Sequence, residues 1–64
     1  MTREEATKAM SKGEKVRHEF FEPDEWITMK SDHLYIFNDG AVIDPLGFLL
    51  IFMNPKWEKG WELV

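Results

Sequence analysis

The feature that most limits what this chain can fold into is its lack of cysteine at a length of only 64 residues. A chain this short hides about 60 % of the surface that its unfolded form exposes, so its apolar core is small. Folding then needs a further source of stability, and without cysteine neither disulfide bonds nor thiolate zinc sites can supply it. We expect a single domain over residues 1–64, in a reducing compartment, stabilised by dense aromatic packing or by assembly into a homo-oligomer.

Aromatic residues are frequent and long apolar runs are missing. The chain has five Phe, three Trp and one Tyr, which argues against disorder. Its longest apolar run, residues 48–53, is far shorter than the ~20 residues that cross a bilayer. The N-terminus also lacks the pattern of a secretory signal peptide. The expected location is therefore the cytoplasm, without a membrane partner.

The charge pattern restricts the class of ligand. The formal net charge is −4, and residues 1–19 hold five of the eight basic groups but only four of the twelve acidic ones. An acidic protein is poorly suited to binding a nucleic-acid backbone, which needs many cations along one surface. A small ligand with one or two phosphates needs only one or two cations, so this class stays open.

The first element predicted from the sequence is a helix over residues 3–12. Thr2 and Glu5 form a Ser/Thr-x-x-Glu capping box, which marks the start of a helix. A basic residue followed by Gly13 marks its end. The apolar stripe of this helix consists mainly of small residues, so the helix can lie close against a sheet but is not stable alone.

Residues 15–21 alternate in the way expected of a strand. The alternation predicts Val16, His18 and Phe20 on one face, with Arg17 and Phe21 on the other. A histidine on an inward face is more commonly a satisfied core residue than a ligand contact, and both interpretations of His18 remain open.

Turn residues divide the remainder of the chain into further short strands. Asp39-Gly40 is typical of a tight hairpin and predicts that the strands on either side of it pair. Turns are also expected at residues 23–24 and 31–32. The strands so predicted cover residues 26–29, 34–37, 41–43 and 61–64.

Residues 48–53 are ambiguous between a buried strand and one or two turns of helix, and we favour the strand. Residues 46–53 are expected to form core or a contact between protomers rather than a ligand pocket. The fold class is α+β, with one N-terminal helix packed on an antiparallel sheet of about five short strands.

The residue pattern does not favour catalysis. The two serines, Ser11 and Ser31, lie outside any glycine elbow, and no cysteine is present to act as a nucleophile. His18 and His33 do not share a metal-ligand spacing, and no phosphate-cradling glycine loop occurs. We expect no enzymatic activity, no metal and no cofactor.

Candidate binding residues fall into a basic cluster and several aromatics. Arg17 could form paired hydrogen bonds to a phosphate while Lys15 adds charge. The other interpretation is a solvated strand face, paired with Glu19 and Glu25. An aromatic ring at the rim of a site would stack on a nucleobase. The full set of candidate ligand-binding residues is Lys15, Arg17, His18, Trp26, Tyr35 and Trp61.

Several short segments together resemble a known family, the small phage proteins of the second Thoeris anti-defence type. The matching segments are Glu4-Glu5-Ala6, Met10, Gly13, Lys15-Val16-Arg17, Asp39-Gly40 and Gly60-Trp61-Glu62-Leu63-Val64. The resemblance implies a phage or prophage accessory protein in the host cytoplasm, built as a homo-oligomer. It also implies binding of a small cyclic nucleotide-derived immune signal at protomer interfaces, where the protein acts as a sponge that sequesters the signal without cleaving it.

A second hypothesis is a protein-interaction module. Its acidic side chains would face a basic surface on a host or phage protein, which the module would inhibit or scaffold. The candidate acidic residues are Asp24, Glu25, Asp32, Asp39 and Asp44.

Overall fold

The computed structural model describes residues 1–30 and 33–64, so the turn expected at residues 31–32 lies outside the described residues. The described chain folds as a small α+β domain. In chain order its elements are helix α1 (Arg3–Ser11), strands β1 (Val16–His18), β2 (Ile27–Met29), β3 (Tyr35–Phe37) and β4 (Val42–Ile43), helix α2 (Pro45–Phe52), a 3₁₀ helix (Pro55–Trp57) and strand β5 (Trp61–Leu63).

Helix α1 begins as the capping box predicts. The Thr2 hydroxyl accepts a hydrogen bond from the Glu5 amide at 3.1 Å, and the Glu5 carboxylate accepts one from the Thr2 amide at 2.9 Å. The hydrogen bond from the Thr2 amide is the main cause that lowers the pKa of the Glu5 carboxyl, and the Thr2 hydroxyl lowers it further. The helix ends at Ser11, one residue before the predicted end, and Gly13 follows at a φ of +89°, a value that glycine adopts without strain.

The sheet in the described part of the chain is antiparallel, with the strand order β4-β3-β2-β1-β5. The final strand, β5, lies beside β1, on the side of β1 that faces away from β2. Met1 extends this contact, because its terminal ammonium donates to the Trp61 carbonyl at 2.7 Å. Both ends of the described chain therefore meet at one side of the sheet.

The predicted hairpin between β3 and β4 is confirmed. Tyr35 pairs with Ile43 across it. Gly40 alone in this turn has a positive φ, at +91°, and its amide donates to the Phe37 carbonyl at 2.9 Å. This is a three-residue loop closed by a glycine bulge, a longer connection than the two-residue turn that Asp-Gly most often forms.

The strand favoured for residues 48–53 is wrong, because residues 48–52 belong to α2 and Met53 is its C-cap. The Asp44 carboxylate accepts a hydrogen bond from the Gly47 amide at 2.7 Å and caps the helix, while Pro45 occupies its first position. The same Asp-Pro pair that excludes a continuous strand is therefore a helix start. Only Phe48 and Phe52 of this helix are buried.

The alternation predicted for residues 15–21 holds through His18 and then fails. Val16 and His18 are fully buried, as expected, but β1 ends at His18 and the chain turns. The turn reverses the burial expected of the next two aromatic residues: Phe21 is buried at 9 % exposure, whereas Phe20 is 60 % exposed.

One face of the sheet carries the core. The register places the inward side chains of all five strands on this face, and both helices pack against it. Neither described helix is long and apolar enough to cross a membrane. The buried apolar residues are Ala6, Met10, Val16, Phe21, Ile27, Tyr35, Phe48, Phe52 and Trp61.

Candidate functional site

The second face of the sheet is not covered by either helix, and it carries most of the cationic cluster. Arg17, Thr28 and Ile36 alternate with the inward residues and are only partly buried. In the register set by the Val16–Ile27 pair, Lys15 just before β1 falls opposite Thr28, and Trp26 just before β2 falls opposite Arg17, so both lie on this face. We refer to Lys15, Arg17 and Trp26 as the cationic sheet face.

Lys15 and Trp26 are in direct contact. The Lys15 ammonium lies 4.4 Å from the centre of the Trp26 ring, within the range of a cation–π interaction. Because the Val16–Ile27 pair fixes the register of β1 against β2, the lysine reaches the indole diagonally across the two strands. A positive charge is therefore held over an aromatic ring on an open surface.

Arg17 is held by an internal anion. Its guanidinium forms an ion pair with Glu62, its register partner on β5, at 2.5 Å, and donates a longer hydrogen bond to the Phe21 carbonyl at 3.4 Å. This partner replaces the Glu19 and Glu25 expected from the sequence. The Arg17 Nε atom is buried and has no hydrogen-bond partner among the described residues, although buried donors in proteins are usually paired.

His18 does not belong to this surface. It is fully buried, its Nε2 donates to the Lys59 carbonyl at 2.6 Å, and its Nδ1 accepts from the Phe20 amide at 3.1 Å. This pattern is that of a neutral imidazole with both nitrogens occupied. The rings of Trp57 and Trp61 pack at 4.6 Å and 5.0 Å from it. Of the two interpretations left open for His18, the structure shows the satisfied core residue.

Trp61 and Tyr35 are buried as well. Trp61 is 2 % exposed, and its indole N–H donates to the carbonyl of the partly buried Trp57 at 2.6 Å. Tyr35 stacks on Phe48 at 4.2 Å between ring centres, and burial raises the pKa of its hydroxyl. The fold therefore brings three of the six candidate residues together on one surface, namely Lys15, Arg17 and Trp26. It places the other three, His18, Tyr35 and Trp61, inside the core.

A groove lined by carboxylates lies where two loops meet. The β1–β2 loop contributes Glu22, Asp24 and Glu25, and the β3–β4 hairpin contributes Asn38 and Asp39. The loops are joined by backbone, since the Asn38 amide donates to the Trp26 carbonyl at 3.1 Å. The concavity measures about 410 Å³. We call it the acidic groove.

The acidic groove contains part of the acidic set named from the sequence. Asp24, Glu25 and Asp39 line it, and Glu22 joins them although the sequence did not single it out. Asp44 is the cap of α2 instead, and Asp32 lies outside the described residues. Within residues 1–30 and 33–64, no group of three or more histidine and carboxylate side chains has the geometry of a metal site.

A second concavity, of about 340 Å³, lies between the end of α1 and the end of β2. Lys12, Lys30 and His33 line it together with Met10 and Met29. His33 is exposed, as expected of a loop residue, and has a φ of +64°. Sequence reasoning missed this basic grouping because Lys12 is far from Lys30 and His33 in the chain and the three share no periodicity.

Comparison of the chain with family models, with curated proteins and with solved structures finds no match.

Proposed function

We propose that this protein is a non-enzymatic binding protein that holds a small nucleotide-derived anion on its cationic sheet face and sequesters it unchanged. The observation that carries the proposal is the placement of two cations and a half-buried indole on the sheet face that neither described helix covers. Phosphate and base are the two parts of a nucleotide, and cation and indole are the groups that recognise them. This is also the function that the family resemblance implies.

Arg17 would exchange one anion for another. Its partner Glu62 is 60 % exposed, and an ion pair of this kind contributes little, about 0–1 kcal/mol. A phosphate offers the guanidinium two parallel charge-assisted hydrogen bonds, which are stronger than a bond to one carboxylate oxygen. In the free protein Glu62 thus stands in for the phosphate.

Lys15 and Trp26 would change partners in the same step. A base stacked on the Trp26 ring displaces the Lys15 ammonium from that ring, and the freed ammonium then lies beside the phosphate. Stacking of a base on an aromatic side chain contributes about 1–3 kcal/mol. Each of the three residues is therefore held by an internal contact that a nucleotide can replace.

The state of His18 supports sequestration rather than turnover. Both of its ring nitrogens are bonded to backbone groups in the core. Acid–base catalysis requires a titratable group within hydrogen-bond reach of the bound ligand. The cationic sheet face holds Lys15, Arg17 and the Glu62 carboxylate that pairs with Arg17, and the proposal assigns none of them a proton-transfer role.

Native mass spectrometry and calorimetry with a panel of cyclic dinucleotides and cyclic ADP-ribose isomers test this function. We expect one compound to bind and to be recovered with its mass unchanged. Arg17→Ala and Trp26→Ala should abolish binding, whereas Lys8→Ala, a charge removed from the exposed side of α1, should not. Glu62→Gln should bind more tightly, because Arg17 loses its internal competitor.

Three results would refute the sponge: no compound of the panel binds, binding survives Arg17→Ala, or the compound is recovered chemically altered. Thermal stabilisation by the ligand gives an independent measure, since a ligand at 100 times its Kd adds about 2.7 kcal/mol to the free energy of unfolding.

The acidic groove favours a second candidate function, an interaction module that binds a basic protein surface. Four carboxylates there face one open concavity in a protein of net charge −4. Such complementarity speeds association and selects partners by charge. The combined change Asp24→Asn, Glu25→Gln and Asp39→Asn should abolish capture of a basic partner, with Glu14→Gln outside the groove as control. Capture that survives the combined change would rule out this function.

A further inference from the structure

Helix α2 presents an apolar stripe that points away from the core. Leu46, Leu49, Leu50 and Met53 follow one another at i, i+3, i+4 and i+7, so they share one side of the helix. Each is between 48 % and 77 % exposed, with Leu50 the most exposed. A stripe with this spacing is the pattern by which a helix packs on another helix. We call these four residues the α2 stripe.

The α2 stripe takes no part in the protein's own core. The inward side of α2 consists of Phe48 and Phe52, which are buried against the aromatic core. Arg3 also fixes the helix, because its guanidinium donates to the Phe52 carbonyl at 2.6 Å and pairs with Glu58 at 3.1 Å. The helix is therefore held on one side while its outer side stays apolar and open.

The charges around the α2 stripe are complementary to a second copy of itself. No ionisable residue occurs between Asp44 and Lys56. Asp44 lies at the N-terminus of α2, and Lys56 lies just past its C-terminus. Antiparallel pairing of two such helices brings the acid of one copy to the base of the other at both ends. A parallel pair would bring like charges together.

We propose that two copies of this chain associate through the α2 stripe, with the two helices antiparallel about a two-fold axis near Leu49 and Leu50. The exposed surface of the stripe is on the order of 500 Å², which is at the upper end of what a monomer exposes. It also provides more than half of the ~800 Å² that each partner buries in a standard interface. A two-fold interface is the commonest way for identical chains to pair.

Disulfide trapping tests the geometry directly, because the chain has no cysteine of its own. Leu50→Cys lies next to the proposed axis and should form a covalent dimer on mild oxidation. Leu46→Cys should not, because the two copies of residue 46 are about 10 Å apart along the helix axis, beyond the ~7 Å that a disulfide can bridge between Cα atoms. An equimolar mixture of Leu46→Cys and Met53→Cys should cross-link.

The matched control is Lys8→Cys, on the exposed side of α1, which should form no covalent dimer under the same oxidation. Self-cross-linking of Leu46→Cys would overturn the antiparallel arrangement, because only parallel helices place the two copies of that residue together. Failure of both Leu50→Cys and the mixture to cross-link would overturn the interface.

Native mass spectrometry and sedimentation of the unmodified protein measure the association itself. We expect a dimer that Leu50→Glu converts to monomer, and Lys56→Glu should weaken it at least several-fold, since the new acid faces the partner's Asp44. A monomer at several hundred micromolar, or a dimer unaffected by Leu50→Glu, would refute the proposal. Monomer in solution together with Leu50-dependent binding to phospholipid vesicles would assign the stripe to lipid instead.

Discussion

Replacing Phe21 by alanine should cost far more stability than replacing the adjacent Phe20. Phe21 is 9 % exposed, and its ring lies 5.7 Å from Trp61 and 6.0 Å from Trp57. Removing a buried Phe side chain costs about 3–5 kcal/mol. At about 0.05–0.15 kcal/mol per residue, the whole domain has only about 3–10 kcal/mol of stability. Phe21→Ala should therefore remove a large part of it.

Phe20 has only about two fifths of its surface covered, through contacts with His18 and Trp57. Full burial of a Phe side chain is worth about 1.5–3 kcal/mol, so Phe20→Ala should cost about 1 kcal/mol. Urea unfolding, monitored by tryptophan fluorescence, measures the loss of stability in both variants. With an m-value near 1 kcal/mol per M, the midpoints should fall by about 3 M and 1 M.

Phe21→Leu provides a second measurement if Phe21→Ala does not fold, since it keeps most of the apolar volume and should lower the midpoint by about 1 M or somewhat more. The outcome that would refute the reasoning is a larger effect at Phe20 than at Phe21. That result would mean that β1 continues past His18 and keeps the alternation predicted from the sequence.

Three further substitutions test local features of the fold. Gly60→Ala should destabilise by about 1–3 kcal/mol, because Gly60 has a φ of +96° and an added Cβ would lie 3.0 Å from the His18 ring; unchanged thermal unfolding would contradict this. Asp44→Ala should cost about 0.5–2 kcal/mol through loss of the α2 cap, measured by urea unfolding, whereas Asp44→Asn should cost less. Glu5→Gln should lower stability at pH 7, because the Glu5 pKa is depressed in the folded state. The difference from the unmodified protein should be present above the unfolded pKa of about 4.5 and disappear as the pH falls through the folded value. A difference that persists at pH 2.5 would show that the cap acts without the charge.

The proposed binding face and the proposed dimer contact lie on different parts of the molecule and can fail separately. Arg17 and Trp26 lie on the uncovered sheet face, whereas Leu50 lies on the outer side of α2, a helix that packs on the opposite face. Leu50→Glu should therefore dissociate the dimer without removing the cationic groups. If nucleotide binding is lost together with the dimer, the site requires residues from both copies.

Local signals in the sequence were sufficient wherever neighbouring residues decide the structure. The Thr2–Glu5 capping box, the Asp39-Gly40 hairpin and the closing strand at Trp61–Leu63 were all predicted, because caps, tight turns and short alternating segments depend on residues a few positions apart. The α+β class followed from these elements. The absence of disulfides followed from composition alone.

Only the tertiary structure decided which side chains each element buries. The apolar run at residues 48–53 fits a strand or a helix equally well by periodicity. The Asp44 cap, with packing of Phe48 on Tyr35 and of Phe52 on Trp61, selected the helix. The burial of Phe20 and Phe21 is the reverse of the prediction because the chain turns after His18. At this point Lys59 and Gly60, which are distant in sequence, contact His18 and Glu19. For the same reason the sequence named six binding candidates without separating the three that reach the surface from the three that fill the core. Burial is a property of the assembled layers, and residues 41 or more positions apart, such as Arg17 and Glu62, become partners only when those layers meet.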